Sequence, residues 1–78
     1  MTPTELLAVI RARHLLRSGA GREARVRSGL SLADVSAACG VSMNTLWRWE
    51  HGDRSPRPAA ALRYLELVDG LLSLESER

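Results

Sequence analysis

Gly40 separates two short stretches that each open on a serine, and this arrangement constrains the chain more than any other feature in it. Ser31 and Ser42 stand where a helix N-cap belongs, each offering a hydroxyl to backbone N–H groups that lack an intrahelical partner. Asp34, three residues after Ser31, completes an approximate capping box and adds negative charge to that first turn. The spacing predicts one helix over 32–39 and a second from Met43 to about His51, with Gly52 as its stop. Two short helices crossing steeply over a tight turn need a small side chain where they approach, and Ser36 supplies it.

The packing of this stretch brings Leu32, Val35 and Cys39 of the first helix against Val41, Leu46 and Trp49 of the turn and the second. A small residue, a turn glycine and then a β-branched residue make up the helix-turn-helix pattern. The wording Gly29-Leu30-Ser31, Gly40-Val41-Ser42, Glu50 and Gly52 resembles the Cro and repressor-type (XRE) DNA-binding family, over about residues 22–61. The resemblance implies an all-α fold, a compact four- to five-helix bundle containing a helix-turn-helix and similar to lambda repressor. One departure stands out. The family frequently has Gln at the first position of the first motif helix, oriented to the DNA backbone, where this chain has Leu32.

At 78 residues there is room for one domain, 1–78, with a core that is marginal unless its helices pack well or a partner adds surface. A single cysteine excludes a disulfide framework, and Cys39 lies on an inward stripe, which reads as a small buried apolar residue. His14 and His51 have no metal-ligand spacing, so no metal or cofactor is expected. No apolar run is long enough for a membrane span and no signal-peptide layout is present, so an intracellular, nucleoid-associated protein is expected. Residues 1–58 hold nine Arg against five acids, while 59–78 hold two against four. The basic surplus thus travels with the motif, as binding to a polyanion requires. Every basic residue other than His is Arg; genomic base composition explains that more simply than function does, although Arg suits forked contacts to phosphate and guanine.

Thr2-Pro3-Thr4-Glu5 reads as a helix start, opening an N-terminal amphipathic helix within 1–18. Leu6, Leu7, Val9, Ile10, Leu15 and Leu16 give it a broad apolar face that must be covered by its own chain or by a second subunit. Ser18 to Gly21 should break that helix, and a short one over 22–28 should follow, closed by Gly29, with Arg22, Arg25 and Arg27 mostly facing solvent. Asp53 to Pro58 is a loop with a Ser cap before a C-terminal helix over 58–74, where Ala61, Leu62, Leu65, Val68 and Leu72 form a core stripe. Gly70 ends or weakens that helix. Leu71, Leu72 and Leu74 then serve as core or as a subunit contact, with 76–78 frayed.

Projected at 100° per residue, the second motif helix turns Leu46 and Trp49 inward and Asn44, Trp47, Arg48 and His51 outward, with Met43 on the border. Asn44 and Arg48 are the expected base readers, because Asn pairs in two places with adenine and Arg with guanine; Met43 and Trp47 join them at the groove. Ser31, Ser42, Arg54, Arg57 and His51 are the expected phosphate contacts. Trp49 reads as core and Glu50 as a structural acid pairing with an Arg or with loop N–H groups. The implied function is a small sequence-specific regulator of transcription, repressor-like and of phage or plasmid type, binding double-stranded DNA as a homodimer through the N-terminal helix, the C-terminal leucines or both. Two alternatives stay open. One is an excisionase or MerR-like winged helix, which shares the motif wording but follows it with a β-hairpin; the other is a protein-binding adaptor or antitoxin. No nucleophile, base and orienting group occur together, so no enzyme, catalytic residue or small-molecule substrate is expected.

Overall fold

In the computed structural model, which describes residues 1–77, Thr2 caps the first helix, α1 (Pro3–Ser18), through a complete capping box. The Glu5 N–H donates to the Thr2 hydroxyl at 3.1 Å and the Thr2 N–H donates to the Glu5 carboxylate at 3.2 Å. Gly19, in the left-handed region at φ 82°, ends α1 and at once begins α2 (Ala20–Arg27). The break expected over Ser18 to Gly21 is therefore confined to one residue. Gly21 is helical and buried, because the Tyr64 ring lies where its side chain would be.

Ser31 and Ser42 cap α3 (Leu32–Cys39) and α4 (Met43–Glu50), and at α3 the box with Asp34 is complete. Gly40 ends α3 in the left-handed region, at φ 70°. A Cβ there would stand 2.6 Å from the Arg63 guanidinium, which donates to the Cys39 carbonyl. Glycine is required at the turn by backbone conformation, and a side chain there would also push the Arg63 guanidinium off the Cys39 carbonyl. After a loop comes α5 (Pro58–Ser76), capped at Arg57 rather than by the expected serine, Ser55. No strand occurs among the described residues, and α5 stands where a winged helix requires its hairpin.

The core gathers where α1 and α5 pack together and the α3–α4 pair closes over them. Trp49 and Tyr64 meet edge to face there, their ring centroids 6.0 Å apart, beside Leu46, Val35, Val68 and Cys39. A fully buried Leu46 alone contributes about 1.5–3 kcal/mol over an exposed one. Two stripes differ from expectation. On α1, Ala8, Val9, Ala12, Leu15 and Leu16 are buried, but Leu6, Leu7 and Ile10 are 50%, 66% and 53% exposed, since the contacts of α1 with its neighbours use one side only. On α5 the inward residues are Ala61, Tyr64 and Val68, while Leu62 is exposed: Tyr64, one turn before Val68, takes the place in the stripe that the sequence reading gave to Leu62. Gly70 does not end α5, which continues to Ser76 with nothing within 4 Å of a Cβ placed there. Of the end expected to fray, Ser76 is the last helical residue and Arg78 lies outside the described residues.

Candidate nucleic-acid interface

Two side chains hold α4 from behind. Leu46 and Trp49, at i and i+3, are buried, so the opposite side of the same helix carries Asn44, Trp47, Arg48 and His51 outward. Met43 is 55% exposed at the helix start and Trp47 43% exposed. Arg48 forms no ion pair among the described residues, which leaves its five donors available.

The orientation of α4 is fixed at its far end by Glu50. Its two carboxylate oxygens accept from Arg25 Nε at 2.8 Å and Nη2 at 3.0 Å, and Arg25 Nη1 donates to the Leu30 carbonyl at 3.0 Å. The pair is nearly closed to water, with 12% of the Arg25 side chain and 2% of the Glu50 side chain exposed. The forked hydrogen bonds to Glu50 raise the Arg25 pKa above its ordinary value, against the opposing effect of burial. Arg25, expected to face solvent, faces inward instead because its guanidinium reaches the buried Glu50 carboxylate at the end of α4, which needs a cation beside it.

Trp47 is partly covered by the residue one turn on. The His51 ring stacks on the indole with centroids 3.7 Å apart and planes 16° from parallel, and its Nδ1 lies 2.9 Å from the Trp47 carbonyl oxygen. An Nδ1–H donating to that carbonyl leaves Nε2 as the outward nitrogen. The stacked pair forms a flat aromatic wall beside Arg48. At the other end of α4, Leu32, Met43, Asn44 and Trp47 line a shallow hollow, so Leu32 adds apolar surface at the position where the family resemblance would place a Gln.

The two helix starts are not equivalent as anion sites. At α3 the Ser31 N–H donates to Asp34 at 2.9 Å, and the Asp34 carboxylate, its pKa lowered by bonds from the Ser31 backbone and hydroxyl, occupies the position an anion would take. At α4 no acid lies in the first turn; Ser42 accepts from the Thr45 N–H and the first N–H groups of the helix face outward. Ser42 is therefore placed to receive a phosphate, and Ser31 less so. Arg54 and Arg57 are exposed in the loop after α4, beside a cleft that Val41, Thr45 and Trp49 also line. No carboxylate pairs with either among the described residues.

The family described as Helix-turn-helix domain matches residues 22–71, which takes in most of α2, all of α3 and α4 and most of α5 and leaves α1 outside. No curated protein matches the chain, and no solved structure does.

Proposed function

The chain belongs to the helix-turn-helix domain family, and from that premise we propose that it is a small sequence-specific regulator of transcription, repressor-like, that lays α4 in the major groove of double-stranded DNA. The observation that carries this reading is the outward side of α4. Asn44 and Arg48 stand there exposed and unpaired on a helix whose reverse side is held by Leu46 and Trp49 and whose end is tied by the Arg25–Glu50 fork. Rigid backing is what a base-reading side chain needs, because forked contacts depend on direction as well as distance.

In this arrangement Asn44 pairs with adenine and Arg48 with guanine. Met43, with Leu32 and Trp47, forms an apolar hollow suited to a thymine methyl. Ser42, Arg54 and Arg57 contact phosphates on either side, with Ser31 a weaker contributor, and His51 joins them only as an imidazolium, because in the neutral ring the outward Nε2 is an acceptor. Selection of bound duplexes from a random pool tests the reading directly: one short site should be enriched, and Arg48→Ala should relax preference at one base position by about 1–3 kcal/mol. Enrichment of no sequence overturns it.

The same reading takes the active species to be a homodimer on paired half-sites. Support comes from Leu6, Leu7 and Ile10 on α1 and from a groove along α5 lined by Leu67, Gly70, Leu71 and Leu74, two apolar surfaces that the monomer leaves open. Sedimentation equilibrium and the symmetry of the selected site test it together. The exposed α1 face also favours the adaptor or antitoxin reading, in which a different protein covers it; a monomer that selects no DNA would favour that alternative.

A further inference from the structure

The arginines of this chain fall into two sets. Arg11 pairs with Asp69 at 2.6 Å, Arg25 with Glu50 and Arg27 with Glu75, and Arg63 donates to the Cys39 carbonyl. Among the described residues Arg13, Arg17, Arg22, Arg48, Arg54 and Arg57 have no such partner. Three of the second set converge. Arg13 and Arg17 lie one turn apart on the exposed side of α1, and with Arg54 of the loop they rim a small cleft floored by Trp49 and Gly52.

Charge alone makes that cleft unusual. Three guanidinium groups share one rim with no acid lining it, for Asp53, the nearest acid to Arg54 in sequence, is not part of the wall and forms no ion pair among the described residues. Like charges that line one cleft repel one another, and an anion placed between them relieves that repulsion. The free volume, about 50 Å³, is far too small for an organic ligand and suits a single tetrahedral oxyanion. Trp49, at the floor of the cleft, serves as a reporter of what enters it: the residue is 2% exposed and its indole N–H has no hydrogen-bond partner in the protein.

We infer that Arg13 and Arg17 of α1, together with Arg54, grip one backbone phosphate of bound DNA in this cleft. The inference rests on the DNA-binding reading and adds to it a contact from a helix that lies outside the matched family residues. Its physical content is that α1 does more than cover the core. The helix turns Arg11 toward α5, where Asp69 neutralises it, and presents Arg13 and Arg17 to the end of α4, where nothing in the protein does.

The test pairs a DNA titration with an inorganic-phosphate titration. Affinity for the selected duplex is measured against salt for the wild type, for Arg13→Gln/Arg17→Gln, and for Arg22→Gln, a change at an unpaired arginine that does not line the cleft. The double variant should lower the slope of log K against log salt by about one unit, and affinity at 0.1 M salt roughly tenfold, with preference for sequence unchanged. Arg22→Gln should change the slope less, and thermal melting should confirm that both variants fold. In parallel, inorganic phosphate should shift the Trp49 indole N–H resonance of the wild type, saturably, and not that of the double variant. A double variant with unaltered slope overturns the inference while leaving the DNA-binding reading intact, even where free phosphate still shifts Trp49. A wild type that binds no duplex overturns both, and the phosphate titration then shows whether the cleft takes the free ion alone.

Discussion

Gly21 and Tyr64 illustrate how one contact can reverse an ordinary rule. Glycine inside a helix costs about 1 kcal/mol relative to alanine, so Gly21→Ala should stabilise α2 if helix propensity decided the outcome. It does not decide here, because a Cβ on Gly21 would run into the Tyr64 hydroxyl and stand 3.1 Å from its Cζ in a close-packed interior. Overpacking of this kind costs about 1–3 kcal/mol, more than propensity returns. Tyr64→Phe should be close to neutral or stabilising, since the hydroxyl it removes is buried without a partner in the protein. The two changes should couple: in urea denaturation Gly21→Ala is expected to cost less in the Tyr64→Phe background, and strict additivity would show that the two residues do not meet as described.

At the level of the helices, the Arg25–Glu50 fork is the joint between the element that reads and the element that braces. Removing one member of a buried pair leaves the other uncompensated, so Glu50→Ala should cost about 3 kcal/mol by denaturant midpoint, well beyond the usual effect of a surface carboxylate. A shift under 1 kcal/mol would mean that water reaches the pair. Most of the elements were legible beforehand because their ends are written in local chemistry: Thr2, Ser31 and Ser42 cap where expected, and Gly40 and Gly52 turn where expected. The outward side of α4 followed from periodicity alone. What sequence could not give were contacts between distant residues. Arg25 is the same residue type as Arg22 and Arg27 and differs only in the distant partner it meets, Glu50. Tyr64 outranks Leu62 in the core because Gly21 makes room for it, and the signal, a glycine inside a basic helix, says that space is needed without saying for what. Arg13 and Arg17 became notable only when α1 was seen to end beside Arg54.

Over the whole molecule, the titrating groups define a window of stability. Burial pushes the Cys39 thiol above its ordinary value and the Tyr64 phenol well above its own, so folding favours their neutral forms. The unfolded chain loses those protons first. Stability is therefore fully present below about pH 8.5, the ordinary thiol value, and falls as pH rises through that value and then through the ordinary phenol value near 10. The lowered Asp34 carboxyl acts in the opposite sense: its contribution is present above the ordinary carboxyl value of about 4 and is lost as pH falls below it. Melting temperatures measured from pH 7 to pH 11 should decline, and Tyr64→Phe should flatten the upper part of the decline; an unchanged profile in that variant would remove Tyr64 as its cause. The join between α1 and the remainder carries one last consequence. Gly19 alone links the two helices, while the rotational phase of the leading one is held by its buried side, Ala8, Val9, Ala12, Leu15 and Leu16. One amino acid added within that helix between Arg13 and Arg17 would turn the two guanidinium groups about 100° further apart around the axis, dispersing the positive rim although every side chain that formed it was still present.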